Sequence, residues 1–284
     1  MDQRIIKLYD EYTHKPLTRK EFMQQLVMLT GSTAAAMSVL PFLESDYKTA
    51  KITTEGELFT EYITFPGAQG EMKAYVARPE KKKKYAAIIV IHENRGLNAH
   101  IEDVARRAAL AGYLAIAPNA LAPILTKSEI SEDEARQLFT TLKAEDNLEN
   151  FMRCIDSLPA REDWNGKIGC VGFCWGGAMA NTLATKVPAL GAAVAFYGRQ
   201  PEATEVPKIK AAVQLHYGAL DERINAGMAA YEEALKANKI IYEQYVYEGV
   251  NHAFHNDTST ARYNAEAAKL AWSRTLAFFE KHLK

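Results

Sequence analysis

The stretch GFCWGG, residues Gly172–Gly177, decides the fold of this chain. It matches the pattern G-x-S-x-G with cysteine in place of serine. An apolar run typical of a buried strand, Ile168–Val171, precedes it, and a segment with helical spacing, Trp175–Lys186, follows. The glycines let the chain turn sharply from strand to helix. We therefore predict a strained turn with Cys174 at its tip, where the start of the helix favours a thiolate. The alternative is a glycine-rich turn beside a small buried cysteine.

Strand and helix patterns alternate on both sides of this turn. Strands are predicted as a hairpin at Glu61–Phe65 and Glu71–Arg78, then at Ala86–Ile91, Tyr113–Ala117, Lys167–Gly172, Ala192–Tyr197, Ala211–Tyr217 and Ile240–Tyr247. Helices are predicted at Ile101–Ala111, Ser131–Ser157, Trp175–Lys186, Ile224–Ala237 and Arg262–Leu283. This alternation implies a mostly parallel central sheet flanked by helices on both faces. We predict an α/β-hydrolase fold, formed as one domain by residues 57–284.

Residues 1–56 differ from the rest of the chain. The stretch Thr18–Met23 is followed by a mildly apolar segment and by the small residues of Gly31–Leu40, a layout that resembles a twin-arginine export signal. The second arginine of that signal is replaced by Lys20, and the middle is weakly hydrophobic. We therefore favour an N-terminal helical extension packed on the body and a cytoplasmic location. Export to the periplasm is the alternative.

Composition excludes several classes of protein. The chain has 284 residues, a net charge of −1 and 48% apolar residues, which are globular values. A neutral chain argues against a nucleic-acid binder, and no apolar run is long enough to predict a membrane span. Three cysteines do not form a disulfide framework, and Cys154 and Cys170 are expected in the core. The histidines and Glu93 show no metal-binding spacing, so we predict neither a metal nor a cofactor.

Two further residues complete a nucleophile–acid–histidine order along the chain. Asp221 follows the strand Ala211–Tyr217, and His252 follows the strand Ile240–Tyr247. Both come at the carboxyl ends of strands, where open parallel sheets place their ligands. Because all three positions occur in the order that this fold requires, we predict a catalytic triad.

In this triad, Asp221 holds the imidazole, His252 transfers the proton, and Cys174 attacks an acyl carbon. Each partner has a neighbour of similar chemistry. Glu222 follows Asp221 and is expected to face solvent, and His255 lies three residues after His252.

The loop His92–Asn98 follows the first buried strand. In this fold that loop supplies one backbone N–H to the oxyanion hole, and the residue after the nucleophile supplies the other. We assign these donors to Asn94 and Trp175. Glu93 ends a buried strand and needs a partner there, which we expect to be the Cys174 thiol or a basic residue such as Arg95. A purely structural ion pair is the alternative.

The chain resembles the dienelactone hydrolase family of α/β-hydrolases over roughly residues 60–284. The resemblance is carried by Ile91–Pro118, Val171–Gly177 (VGFCWGG), Ala195–Gly198 (AFYG), Asp221 and Asn251–His255 (NHAFH). It implies a Cys174–His252–Asp221 triad in which Glu93 takes the thiol proton when substrate binds. Tyr197 matches a pocket position of the family, and we expect Arg95 and Phe254 in the same pocket.

The resemblance implies a small ester or lactone as substrate and a monomer or homodimer. Well-studied members bind the carboxylate of dienelactone through arginines, one of them shortly after the equivalent of Pro118. Here that stretch, Asn119–Leu125, has no arginine. Arg95, Arg199 and Arg262 are the available substitutes. The sequence thus predicts the reaction class and leaves the substrate open.

Two other functions stay open at this point. One is hydrolysis or transfer of another class of acyl compound, because the fold and triad do not fix the leaving group. The other is a non-catalytic binding module that uses residues 1–50 to hold a partner.

Overall fold

The computed structural model describes residues 1–46, 53, 57–127 and 130–284. The strands are β1 Leu58–Pro66, β2 Glu71–Pro79, β3 Tyr85–Ile91, β4 Leu114–Asn119, β5 Trp164–Phe173, β6 Ala192–Phe196, β7 Ala212–Gly218 and β8 Tyr242–Tyr247. The helices are α1 Gln3–His14, α2 Arg19–Thr30, α3 Thr33–Leu43, α4 Ala99–Leu110, α5 Glu132–Phe139, α6 Ala144–Asp156, α7 Trp175–Lys186, α8 Glu222–Asn225, α9 Met228–Ala237 and α10 Ala265–Leu283. The domain boundary predicted at residue 56 lies outside the described residues.

The strands form one sheet in the order β1-β2-β4-β3-β5-β6-β7-β8. Strands β1, β2 and β4 pair antiparallel, and the pairings from β4 through β3 to β8 are parallel. The mostly parallel sheet flanked by helices predicted from the sequence is confirmed. Because β3 and β5 are central, their carboxyl ends meet in the middle of one edge, where open sheets of this kind bind ligands.

Burial follows the predicted pattern in the central strands. Every residue of β3, β6 and β7 is buried. One apolar core lies on each face of the sheet: the first includes Ile89, Cys170 and Leu183, and the second includes Val90, Val171 and Phe279. Side chains alternate between the two faces along each strand, so a strand covered on both faces is apolar throughout.

Helices α1, α2 and α3 form a separate small core. Helix α2 begins with a capping box between Thr18 and Glu21 and ends at Gly31. The φ of Gly31 is 83°, a left-handed conformation that glycine adopts without strain because it has no Cβ. The buried apolar side chains of this core are Ile5, Leu8, Tyr9, Tyr12, Phe22, Leu26, Ala36, Leu40 and Leu43. Among the described residues no single helix is long and apolar enough to cross a bilayer. Helices α2 and α3 reach that length only together, and the pair is bent by 113°.

Two predicted helices are interrupted. The helix expected over Ser131–Ser157 is split into α5 and α6, because the hydroxyls of Thr140 and Thr141 bond the carbonyl oxygens of Gln137 and Leu138 at 2.7 Å. The helix expected over Ile224–Ala237 is split into α8 and α9 around Gly227.

Two other boundaries are shifted. Helix α10 begins at its N-cap Asn264, whose side chain accepts from the N–H of Ala267 at 3.0 Å, and not at Arg262 as expected. Strand β8 begins at Tyr242 rather than at Ile240.

Candidate active site

Cys174 lies at the turn between β5 and α7. Its backbone has φ 56° and ψ −113°, a region that non-glycine residues rarely adopt. Its N–H donates to the carbonyl oxygen of Phe196 at 3.0 Å. A Cβ on Gly172 would lie 1.8 Å from the carbonyl oxygen of Gly176, so this turn admits no side chain there. The strained position and its supporting glycines are those predicted from the sequence.

His252 and Asp221 lie beside this turn. Nδ1 of His252 is 2.5 Å from Oδ2 of Asp221, and both side chains are buried. Oδ1 of Asp221 also accepts from the N–H of Ile224, because Asp221 caps helix α8. The carboxylate is therefore fixed from two sides and orients the imidazole. Nε2 of His252 has no hydrogen-bond partner among the described residues.

His14, the last residue of α1, is the group that contacts the sulfur. Its Nε2 is 3.1 Å from Cys174 Sγ. Its Nδ1 is 2.8 Å from the carbonyl oxygen and 3.1 Å from Oδ1 of Asp10. The rings of His14 and His252 meet edge to face with centroids 4.8 Å apart. Sequence analysis did not find His14, because 160 residues separate it from Cys174 and no short motif records such a contact.

The two imidazoles determine the charge of the thiol. Burial raises the pKa of Cys174, but the positive charges of His14 and His252 and the hydrogen bond from His14 outweigh burial and lower it to about 6. The negative sulfur in turn raises the pKa of both histidines against the effect of burial, together with Asp10 and Asp221. By contrast, burial raises the pKa of Cys154 and of Cys170 to about 12. Cys174 is therefore the cysteine with thiolate character at neutral pH.

Glu93 is buried, and its hydrogen bonds differ from those expected. Its Oε1 accepts from the hydroxyl of Tyr197 at 3.2 Å, and its Oε2 accepts from Asn256 Nδ2 at 2.8 Å. We expected the Cys174 thiol or Arg95 as the partner. Both expectations are corrected, since the sulfur faces His14 and the guanidinium of Arg95 bonds Asn94 and Glu132. Glu93 and Cys174 do line one small cavity of about 20 Å³.

A larger cavity of about 420 Å³ opens at the sulfur. It is lined by Thr13, His14, Lys15, Pro16, Asn94, Arg136, Phe139, Thr140, Cys174, Trp175, Ala178, Tyr197, Arg199, Arg223, Ile224 and His252. Asn94 and Trp175, the expected oxyanion donors, both lie here. Trp175 is the first residue of α7, so its N–H has no partner within the helix.

Of the three predicted pocket residues, Tyr197 alone lines this cavity. Phe254 is fully buried between Phe196, Tyr197 and Tyr247, because its strand-end loop turns it into the core. Arg95 lines the small cavity shared with Glu93.

His14, Cys174 and His252 place three nitrogen and sulfur atoms within 4.8 Å of one another. Nitrogen and sulfur ligands of one tetrahedral zinc ion lie about 3.5 Å apart, since the bonds to zinc are about 2.0 to 2.3 Å. The 3.1 Å between His14 Nε2 and Sγ is a hydrogen-bond distance instead. We therefore describe the contact between His14 and Cys174 as a hydrogen bond rather than as part of a metal site. His92 lies outside this cluster and accepts at Nε2 from the N–H of Ala120.

Comparisons with known proteins identify the family of this chain. The model of the dienelactone hydrolase family matches residues 72–283. A Saccharolobus solfataricus protein named "Putative carboxymethylenebutenolidase" is 31% identical, with 77% of this chain and 97% of that protein covered. A Synechocystis protein of the same name is also 31% identical, with 80% and 99% covered. The crystal structure of a putative dienelactone hydrolase from Klebsiella pneumoniae is 30% identical and has a TM-score of 0.71, with 79% of this chain and 99% of that chain covered.

The family match covers the sheet from β2 to β8, the Cys174 turn and the loops that carry Asp221 and His252. The comparisons also confirm the α/β-hydrolase fold that the sequence predicted. This chain belongs to the dienelactone hydrolase family, and it is a carboxylic ester hydrolase.

Proposed function

We propose that this protein hydrolyses small carboxylic esters or lactones through a thioester on Cys174. The observation that carries the proposal is the strained turn itself. It presents a cysteine with a pKa of about 6 at the floor of a 420 Å³ cavity, beside the Asp221–His252 pair. A thiolate is the reactive form of cysteine, so this residue has the charge that a nucleophile needs at neutral pH.

The reaction proceeds in two half-reactions. The Cys174 sulfur attacks the acyl carbon, and the resulting oxyanion accepts hydrogen bonds from the backbone N–H groups of Trp175 and Asn94. Removing one such donor typically costs about 3 kcal/mol of barrier lowering. The C–O bond then breaks, the leaving oxygen takes a proton, and a thioester remains. Water then attacks this thioester, the imidazole that gave its proton to the leaving oxygen takes a proton from this water, and the sulfur leaves with its electron pair.

Glu93 assists deprotonation of the thiol. Its carboxylate and Cys174 line the same small cavity of about 20 Å³, which has room for about one water molecule. Tyr197 and Asn256 fix its two oxygens. Because burial and the charge of Glu93 raise the pKa of Tyr197 well above its usual value, the tyrosine remains a hydrogen-bond donor throughout.

The charge of the cavity wall points to an anionic substrate. Lys15, Arg136, Arg199 and Arg223 line it, and no aspartate or glutamate belongs to its lining among the described residues. The stretch after Pro118 has no arginine, so other segments supply the positive charge that family members use to bind a carboxylate. We therefore propose an ester or lactone that carries a carboxylate near the acyl group.

The N-terminal helices form part of this cavity. Thr13, His14, Lys15 and Pro16 line it, and the carbonyl oxygen of Thr13 accepts from Asn94 Nδ2 at 2.9 Å. These contacts support the interpretation of the N-terminal segment as a helical extension of the folded protein over that of an export signal.

Two substrates and three variants test the proposal. We would assay p-nitrophenyl acetate and a small unsaturated lactone with wild type, Cys174→Ala, Cys174→Ser and the matched control Cys154→Ala. We expect activity to be abolished in Cys174→Ala and unchanged in Cys154→Ala. Peptide mass spectrometry of acid-quenched wild type should find the acetyl group on Cys174. Full activity of Cys174→Ala would refute the thioester route.

A further inference from the structure

Two aspartate–histidine pairs converge on one sulfur. Asp221 holds His252 from the side of the sheet, and Asp10 holds His14 from the side of α1. Nε2 of His14 lies within hydrogen-bond distance of Cys174 Sγ, whereas Nε2 of His252 has no hydrogen-bond partner among the described residues. One histidine is enough for a cysteine hydrolase triad, so the second pair requires an explanation.

We propose that His14, oriented by Asp10, is a second catalytic residue of this enzyme: it holds the Cys174 thiolate and donates the proton to the leaving oxygen of the substrate. The inference rests on the proposed function, since it takes Cys174 as the nucleophile. It goes beyond the family match, because that match begins at residue 72 and α1 lies outside it.

The position of His14 is fixed by contacts around it. Nδ1 of His14 lies 2.8 Å from the carbonyl oxygen of Asp10 and 3.1 Å from its Oδ1, and the carboxylate is paired with Arg223, whose Nε is 3.2 Å from Oδ2. Despite burial, His252, His14 and Arg223 hold the pKa of Asp10 well below its usual range, so it remains a carboxylate. His14 is also the last residue of α1, where the helix dipole favours a cation. These contacts stabilise a protonated imidazole beside a negative sulfur.

Helix α1 is anchored on the catalytic domain along its length. Lys7 pairs with Glu222 at 2.8 Å, Tyr12 Oη donates to Asp133 at 2.5 Å, and Arg136 lies 4.3 Å from the centre of the Tyr12 ring. The ring of His14 is therefore positioned from both ends of the helix. A loosely attached tail would not keep a 3.1 Å contact with the nucleophile.

His14 lines the substrate cavity without filling the space beside the sulfur. The cavity of about 420 Å³ is bounded jointly by His14, Cys174, Trp175 and His252. A substrate carbonyl at the sulfur thus lies next to both imidazoles. This arrangement is what a proton donor requires, because the donor must reach the leaving oxygen while the sulfur reaches the carbon.

The proton balance of the reaction is complete with the two histidines. The sulfur forms a bond to the acyl carbon, the C–O bond breaks, and the proton of His14 passes to the leaving oxygen. In the second half-reaction, water adds to the thioester carbon and the C–S bond breaks. The proton released by water is taken by His14, which became neutral in the first half-reaction, so both imidazoles are charged again when the thiolate re-forms. The products are the alcohol and the carboxylic acid, which ionises in solvent.

Two readouts separate this role from a structural one. The first is the pH dependence of alkylation of Cys174 by iodoacetamide. The second is kcat for two acetate esters, one with a p-nitrophenoxide leaving group that departs without a proton and one with an alkoxide that needs one. The full-length variants are His14→Gln and Asp10→Asn, and His282→Gln on α10 is the matched control. The charged groups facing His14 that bear on the alkylation profile are Asp10, Cys174, His252, Arg223, Arg136, Glu93 and Arg262.

In His14→Gln we expect the alkylation midpoint to rise by about one pH unit or more, because one of the two cations on the sulfur is lost. We expect kcat for the alkyl ester to fall about tenfold more than kcat for the p-nitrophenyl ester. Asp10→Asn should raise the alkylation midpoint and lower kcat for the alkyl ester in the same way, but by less. If His14→Gln does not fold, the result for Asp10→Asn decides whether His14 has this role. His282→Gln should match wild type.

An unchanged midpoint together with equal losses on both esters would overturn the role of His14. This result is distinguishable from failure of the proposed function. If Cys174→Ala is inactive while His14→Gln behaves as wild type, the thioester route stands and only this inference is wrong. If Cys174→Ala remains active, the proposed function itself fails.

Discussion

Replacing Gly176 by alanine tests how the nucleophile turn is held against the oxyanion loop. A Cβ at this position would lie 2.3 Å from the carbonyl oxygen of Ile91 and 2.5 Å from that of His92. Carbon and oxygen atoms of a folded protein do not approach so closely. To bring the closer contact to 3.0 Å, α7 and the end of β3 must separate by about 0.7 Å. The residue displaced with His92 is Asn94, the proposed second oxyanion donor.

Both stability and activity should respond to this displacement. Overpacking of this kind costs about 1–3 kcal/mol of unfolding free energy, or about 3 °C in Tm for each kcal/mol. Loss of one well-placed oxyanion donor lowers kcat about 10²-fold or more. We therefore expect Gly176→Ala to be folded, modestly destabilised and about 10²-fold slower on p-nitrophenyl acetate, with a smaller change in KM.

A matched glycine provides the control. A Cβ on Gly70 would meet Pro123 at 3.4 Å, an ordinary contact, so Gly70→Ala should keep the kcat of wild type. Urea denaturation and steady-state kinetics on the same preparations measure both effects. A folded Gly176→Ala enzyme with the kcat of wild type would refute the argument that this close approach aligns the donor with Cys174.

Four further measurements bear on the site. Because the pKa of Cys174 is lowered to about 6, the thiolate is lost as pH falls through that value, so kcat/KM should be half-maximal near pH 6 and flat above pH 7; a midpoint near 8.5 would contradict the assigned charge. Glu93→Gln should reduce kcat/KM below pH 6, where Cys174 is protonated and needs a base, and an unchanged value there would remove Glu93 from the mechanism. Asp221→Asn should lower kcat about 10⁴-fold at an unchanged fold, since His252 then loses the carboxylate that sets its tautomer; wild-type kcat would show that another group orients the ring. Arg199→Ala should raise KM about tenfold for a carboxylate-bearing lactone and leave KM for the methyl ester of the same lactone unchanged; equal shifts would argue against an anionic substrate.

Local sequence patterns predicted most of the sheet and its carboxyl edge. The apolar run of β3 and the GFCWGG turn each depend on residues that are neighbours in sequence, and short-range sterics and periodicity act on such neighbours. The chain order of Cys174, Asp221 and His252 could be predicted for the same reason. Each follows a strand end, and parallel strands carry their carboxyl ends to one edge.

Packing between distant segments changed several details. The helix expected from Ser131 to Ser157 is broken at Thr140 and Thr141. The break allows Phe139 to pack edge-on against Trp175, with ring centroids 4.8 Å apart. The two threonines are a local signal for this break, but the apolar periodicity continues through it and by itself predicts one helix. The partners of Glu93 were missed because Tyr197 and Asn256 lie 104 and 163 residues away in sequence.

The sequence by itself determined the fold class and the chain order of the candidate triad residues Cys174, Asp221 and His252. Only the tertiary structure decided which imidazole contacts the sulfur. His14 reaches Cys174 because α1 docks on loops far along the chain, through pairs such as Lys7–Glu222 and Thr13–Asn94. The positions of those contacts depend on where the whole sheet places its loops. Local propensity specifies helix α1, which carries His14. Long-range packing specifies the position of the His14 end of this helix beside Cys174.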